Sequence, residues 1–389
     1  MGRLFRDESV FDIEYVPERL PHRGKQLEEL MNVFAPIVEQ PGRIARRVLV
    51  IGDIGTGKTV TTKRFGQLIE EEARKRGVRV FYAHVNCQRL RGSFFHVLLT
   101  AMRRLRPGFP DRGYAPHELF MSLMNALDEE DAHIIITLDD AEALIKKDGS
   151  GPLYDLSRAH EDQLEGRRRL SLICVVRDRK KIDALNEATK STLMEYVICM
   201  SKYTEDQLFD ILADRVRLGF YEEAIREDVV RFVARLSAER GDARFAIELL
   251  WRAGKLAESE GKREVMPEHV RKALMRVWPI PRDVVIGLPT QAKLILLALA
   301  REFQMTDEPY LRMGELKDTY RAICEEFGVR PLRHTQIWKY VRELADRGVI
   351  SAEPSGPGTR GRTTFIGLRV PAEELRKMME EELSKELGV

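Results

Sequence analysis

Short, nearly unbroken apolar runs alternate with helix-length amphipathic stretches through the first half of the chain. The runs are RRVLVIG (46–52), VRVFYAHVN (78–86), HIIITLDD (133–140), LSLICVV (170–176) and YVICM (196–200). They are rich in Val and Ile and keep no polar alternate face, so they predict strands buried on both sides, in a parallel sheet covered by helices. After Thr204 the strands stop and four helical patterns follow: TEDQLFDILADRVR, EDVVRFVARLSAE, DARFAIELLWRAGKLAES and PEHVRKALMRV. In the first, Leu208, Ile211 and Leu212 fall at i, i+3 and i+4, and Thr204 is placed to cap with Gln207 three residues on. This predicts a small all-helical domain. WPIPRDVVIGLP (278–289) carries three prolines, which block helix continuation and predict a linker. Beyond it, helices are expected over QAKLILLALAREF, 313–327 and HTQIWKYVRELADRG, the last with Ile337, Tyr340, Val341 and Leu344 on one face. GVISAE, the turn-rich PSGPGTRGR and TTFIGLRV then give strand, turn and strand, which predicts a winged helix-turn-helix. The expected division is an α/β domain over 1–201, a helical domain over 202–279 and a winged-helix domain over 280–389.

Composition excludes several classes. Of 389 residues, 43% are hydrophobic and 32% charged, a globular balance rather than a disordered or collagen-like one. No apolar run reaches the roughly 18 residues needed to span a bilayer, so no membrane partner is expected. The start, MGRLFRDESVF, has no hydrophobic stretch, which argues against a secretory signal and for a cytoplasmic protein. Cys87, Cys174, Cys199 and Cys324 are widely spaced, and the first three fall in or beside apolar runs, so buried free thiols are expected. The net charge of +2 hides local surpluses. Residues 88–112 hold six arginines against one aspartate. Residues 328–370 hold eight basic side chains against three acids, and the tail from Pro371 holds three against six.

The strongest chemical signal is GDIGTGKT, which fits G-x-x-x-x-G-K-[ST] between a buried strand and a helix. The backbone of Gly52, Asp53, Ile54, Gly55, Thr56 and Gly57, with Lys58, Thr59 and Val60 opening the helix, is a candidate phosphate cradle. Lys58 is expected to reach the β- and γ-phosphates of ATP or ADP, and the Thr59 hydroxyl to hold Mg²⁺. HIIITLDD delivers Asp139 at a strand end, where a carboxylate can complete the Mg²⁺ shell. Asp140 follows, a candidate to polarise the attacking water. In the second basic cluster, Arg333, Thr335, Gln336 and Lys339 lie on the start and outer face of the expected recognition helix, the residue types that reach base edges and phosphates. Arg360, Gly361, Arg362 and Thr363 sit in the wing, within reach of phosphates or a minor groove. A protein-docking winged helix is the alternative for this face.

These motifs, in this order, resemble the archaeal origin-recognition-type, cell-division-control-like replication initiators, an AAA+ ATPase family, from about Val10 to Leu368. The resemblance implies an AAA+ α/β domain, a helical lid and a winged-helix DNA-binding domain. YVPERLPHRGKQLEEL is similar to the family's N-terminal box, which places Val16, Pro17, Arg19, Leu20, Pro21, His22 and Arg23 against the adenine. SKYTEDQLFDILADRV implies that Tyr203 and Arg215 approach the nucleotide, and RGDARFAIELL that Arg244 acts near the γ-phosphate. The 88–112 stretch corresponds to the initiator-specific insertion, with Arg103, Arg104 and Arg106 as candidate DNA contacts. Asp178 falls where the family usually has Asn, Asp140 where many relatives have Glu, and Lys190 is the nearest basic candidate for an arginine finger. These departures imply a weak ATPase in which nucleotide state acts as a switch. The implied partners are double-stranded origin DNA, a replicative helicase and paralogous initiator subunits, on the nucleoid. An NTP-gated signalling or transcriptional ATPase and a nucleotide-locked DNA-binding scaffold are the alternatives.

Overall fold

The computed structural model describes residues 3–160, 167–183, 185–277, 282–354 and 364–388. The chain divides into two compact units, Ile13–Gln207 with Arg240–Ala243, and Met1–Asp12 with Leu208–Glu239 and Arg244–Val389.

In the first unit, β1 (Arg47–Gly52), β2 (Arg79–Asn86), β3 (Ala132–Asp139), β4 (Leu170–Val176) and β5 (Tyr196–Met200) form one sheet in the order β2-β3-β4-β1-β5. Every pairing is parallel. Every residue of β3 and β4 is buried, as their unbroken apolar runs require. The helices Gly24–Glu39 and Lys58–Lys75 contribute Phe34, Phe65 and Ile69 to one core, and Phe94–Leu105 and Pro116–Glu129 contribute Leu98, Met102, Leu123 and Leu127 to another. Cys87 and Cys174 are buried, and burial pushes the Cys87 thiol up to about 12. Cys199 is exposed, contrary to the expectation of a buried thiol. It lies near the end of β5, an edge strand, where its side chain is exposed although Val197 two residues earlier is partly buried. Because all five strands run the same way, their carboxyl ends form one edge, where ligands of open α/β sheets gather.

Helices Glu205–Gly219, Glu227–Ala238, Ala243–Ser259 and Pro267–Val277 follow the sheet, as the periodicity predicts, and all of their residues but 205–207 and Ala243 belong to the second unit. The expected capping box is present: Gln207 N–H donates to Thr204 Oγ1 at 3.3 Å, and Thr204 N–H to Gln207 Oε1 at 3.2 Å. The first residues of the chain, which carry no periodic signal, pack here. Phe5, Phe11 and Phe220 form an aromatic cluster, and a Cβ at Gly254 would come 2.5 Å from the Phe5 ring.

The winged helix follows with helices Thr290–Met305, Met313–Glu326 and His334–Asp346 and a small antiparallel sheet of β6 (Leu311–Arg312), β7 (Ile350–Pro354) and β8 (Thr364–Leu368), ordered β6-β8-β7. Of the expected linker, 278–281 lie outside the described residues; beyond them Arg282–Ile286 forms a short helix, and Val285 and Leu288 enter the winged-helix core. The acidic tail is a helix, Ala372–Leu387, whose Leu375, Met379 and Leu383 are buried at i, i+4 and i+8. Two cations of Thr290–Met305 clasp it: Lys293 pairs with Glu386, and Arg301 reaches both Glu380 and Glu326. The buried Arg271 of Pro267–Val277 ties lid to winged helix. Its guanidinium donates to the carbonyls of Leu368, Glu308 and Pro309 and pairs with Glu268 at 3.3 Å. It also stacks over Phe303, with Cζ 4.3 Å from the ring centre.

Candidate nucleotide site and nucleic-acid interface

At the carboxyl edge of the sheet, β1 runs into the glycine-rich loop and β3 into the two aspartates. Gly55 and Gly57 adopt left-handed φ of 72° and 88°, which lets the loop curl back onto the helix that Lys58 opens. There is no room for side chains: a Cβ at Gly52 would lie 2.5 Å from the Met200 carbonyl, and one at Gly57 2.5 Å from the Tyr203 hydroxyl. Lys58 is buried and donates through Nζ to the carbonyls of Gly52 and Asp53 at 2.5 and 2.6 Å. Burial lowers its pKa, and Asp139 and Asp140 oppose that shift. Thr59 Oγ1 donates to Asp139 Oδ2 at 2.7 Å, so the two expected metal ligands already converge. Thr56 Oγ1 donates to the Asp53 carbonyl at 2.8 Å, and the Asp53 carboxylate lies 3.4 Å from Lys202 Nζ. Ile54 is exposed and Val60 half-buried.

Two segments distant in sequence brace this loop. Arg23, 2% exposed, donates through Nε to the Thr56 carbonyl at 2.8 Å and through an Nη to the Ser201 carbonyl at 2.7 Å. Its guanidinium lies 3.9 Å from the centre of the Tyr203 ring. Residues 15–20 lead to it without regular structure, with Val16, Pro17 and Leu20 half-buried and Arg19 exposed. Pro21 is half-buried, and His22 is exposed with a left-handed φ of 60°. From the other side, Ala243 N–H donates to the Gly55 carbonyl at 3.1 Å, and Asp242 packs so closely that a Cβ on Gly55 would strike its carboxylate.

Asp140 has a left-handed φ of 51°. Its carboxylate faces Arg177, the first residue beyond β4, with Nε and an Nη 3.2 and 3.1 Å from Oδ1. Asp178 turns back on its own chain, accepting from Lys180 N–H at 3.0 Å. Lys190 pairs with Asp183 and Glu187, each at 3.5 Å. His84 Nε2 stands 3.6 Å from Asp139 Oδ2, and burial depresses its pKa. Arg177, Asn86 and Asp242 escaped the sequence reading. Of these only Asp242, inside the quoted RGDAR motif, had a signal.

Two expected nucleotide residues belong to the other unit. Arg215 is buried and donates to the Val10 carbonyl at 3.0 Å. Arg244 is exposed near the start of Ala243–Ser259.

The two basic clusters differ in how their charge is spent. Arg103 pairs with Asp111, Arg104 with Glu70 at 2.7 Å, and Arg106 with Glu129 and Glu130 at 2.7 and 3.0 Å. Arg89, Arg91 and Arg112 of the same stretch are exposed and make no ion pair among the described residues. On His334–Asp346, Ile337, Val341 and Leu344 are buried, which turns Thr335, Gln336, Lys339 and Arg342 outward. Arg333, Lys339 and Arg342 make no ion pair among the described residues, so this face keeps its positive charge. Gln336 also serves the helix: its Oε1 accepts from Arg333 N–H at 3.2 Å. Arg360, Gly361, Arg362 and Thr363 lie outside the described residues.

Family models match in the order the fold presents: an AAA ATPase domain over 19–173, a Cdc6 AAA+ ATPase-type lid domain over 209–275 and a CDC6 C-terminal winged helix domain over 283–378. The chain is 34% identical to ORC1-type DNA replication protein 2 of Sulfurisphaera tokodaii, over 99% of this chain and 94% of that protein. It belongs to the archaeal Orc1/Cdc6 family of replication initiators. The crystal structure of Cdc6p from Pyrobaculum aerophilum superposes with a TM-score of 0.87 at 32% identity, covering 99% of this chain and 100% of that one. The Aeropyrum pernix ORC1 protein, solved in complex with DNA, gives 0.64 at 29% identity over 99% and 98%. In Orc1/Cdc6 terms the parallel five-stranded sheet is the AAA+ ATPase domain, followed by a helical lid and a C-terminal winged helix. No helix among the described residues is long and apolar enough to cross a membrane.

Proposed function

We propose that this chain is an ATP- or ADP-binding initiator that grips double-stranded origin DNA on the nucleoid, helps remodel it and recruits a replicative helicase, alone or beside paralogous initiator subunits. The observation that carries the reading is the unspent positive face of His334–Asp346 on the same chain as the phosphate loop. A helix whose Lys339 and Arg342 make no ion pair among the described residues and whose Thr335 and Gln336 point outward can release counterions at phosphates and read base edges. The Aeropyrum relative bound to DNA supports this partner. Within the insertion, the exposed Arg89, Arg91 and Arg112 are better placed to donate charge than Arg103, Arg104 and Arg106, whose guanidinia carboxylates already hold.

The residues at the sheet edge fit a Mg-nucleotide. The loop offers backbone N–H groups and an ammonium. Thr59 and Asp139 together present the oxygen donors a hard cation takes. Bound Mg²⁺ would supply neutralisation of phosphate charge. Lys58 would exchange its two carbonyl contacts for phosphate oxygens, and Arg23 would hold the loop's shape from behind. Nucleotide state would then act as a switch rather than a fuel supply.

Lys58→Ala tests the first half: nucleotide affinity should fall roughly ten- to a hundredfold, the worth of charge-assisted bonds. Genome-wide footprinting tests the second. A few discrete sites agree with an initiator, whereas occupancy dispersed over promoters would point to an NTP-gated regulator.

A further inference from the structure

The carboxylate that would orient the attacking water is already occupied. Arg177 places Nε and an Nη 3.2 and 3.1 Å from Asp140 Oδ1, and Asn86 Nδ2 donates to Oδ2 at 3.4 Å. Both partners are held in place. Asn86 Oδ1 accepts from Arg89 N–H at 2.8 Å, and Arg177 N–H donates to Glu142 Oε1 at 2.5 Å. The left-handed backbone of Asp140 is sparsely populated for a non-glycine residue, and such outliers persist only where surrounding contacts hold them. Arg177 stands directly after β4, the strand between the one that ends in Asp139 and the one that feeds the phosphate loop. Its side chain is half-exposed and can therefore leave the pair.

We propose that Arg177 is a clamp on Asp140, engaging the carboxylate so that it does not orient water, and that this ion pair sets a low rate of ATP hydrolysis. The inference rests on the nucleotide-binding reading above. In hydrolysis, the water oxygen bonds to the γ-phosphorus as the bond from that phosphorus to the ADP oxygen breaks, and the water's proton ends on the released phosphate. Asp140 assists only with an oxygen free to accept a hydrogen bond from that water. Arg177 acts through Asp140 and is thus a positioning residue.

The test is a double-mutant cycle of Arg177→Met and Asp140→Asn, read in two ways. In nucleotide-free protein, the melting shift of the double variant should fall short of the summed single shifts by about 2 °C, as a half-exposed pair in a domain of this size implies. In single-turnover hydrolysis, Arg177→Met should raise the rate about fivefold while ADP affinity stays within twofold. Arg177→Lys should return it toward the parent, and Asp140→Asn should abolish the rise. Additive melting shifts, or an Arg177→Met rate at or below the parent's, overturn the clamp. Should Lys58→Ala leave nucleotide affinity intact, the nucleotide reading itself fails and the clamp falls with it, even where the melting shifts couple.

Discussion

At the scale of single residues, spacing along the chain is enough to bring some side chains together. Gly57, Lys58, Thr59 and Asp139 follow from a loop motif and a strand end, because backbone geometry fixes what a phosphate cradle requires. Arg23, which the family resemblance places against the adenine, reaches two backbone carbonyls and the Tyr203 ring, contacts that spacing does not disclose. Spacing favours Asp178 over its neighbour Arg177, because sequence does not say which of two adjacent polar residues points across the sheet edge. His133, at the opposite end of the strand that delivers Asp139, gives a test of burial on that strand. Burial lowers its pKa to about 3, so the fold holds it neutral, while the unfolded chain takes up a proton below about 6.5. The native state then binds fewer protons between these values. Stability is full above about 6.5 and drains as pH falls toward 3, with a slope of up to about 1.4 kcal/mol per pH unit. Urea unfolding from pH 7 to 4 should show His133→Gln losing that share of the slope.

At the scale of elements, strands and amphipathic helices were legible because period and burial agree. The misses lie where the signal is sparse. The tail was read only as acidic, yet Leu375, Met379 and Leu383 recur every fourth residue and dock it as a helix. The chain before Ile13 has no period, and Phe5 packs on Phe220 beside Phe11, which a single 3-10 turn over Glu8–Phe11 carries. The recognition helix was placed correctly, but Gln336 carries a second duty that spacing does not disclose. Lys339→Ala should lower the slope of log affinity against log salt by about one unit, with the melting temperature unchanged. Gln336→Ala should cost about 1 kcal/mol of stability through the lost cap while relaxing base preference. Gln336→Glu should keep the cap and weaken DNA binding. DNA titrations over a salt series, paired with melting curves, separate the three.

At the scale of the whole molecule, lid and winged helix share one compact unit although the sequence divides them by a proline-rich stretch. Arg271 is one reason. It is 1% exposed, three carbonyls of the winged-helix domain accept from it, and Glu268 beside it also accepts from Ala372 N–H at 2.9 Å. Burial lowers the Arg271 pKa and raises that of Glu268, so each needs the other. Arg271→Met should cost about 2–4 kcal/mol in urea unfolding, because it removes the donor from three carbonyls and leaves the half-buried Glu268 carboxylate with Ala372 N–H but without its cation. Adding Glu268→Gln should recover part of that loss. A net charge of +2 discloses none of this, since the sum records neither which cations are spent on the fold nor which stay exposed at the surface.

The clasp of Lys293 and Arg301 on the C-terminal helix has a thermal consequence. Hydration of ions becomes less favourable as temperature rises, so taking these charges from water costs less in a hot cell than in a cold one. Apolar burial gains little over the same range. The Ala372–Leu387 helix is thus fastened by two devices with different temperature dependence. The ionic one takes a growing share as heat loosens the rest, so the winged helix keeps its outermost layer where purely apolar docking would begin to fray.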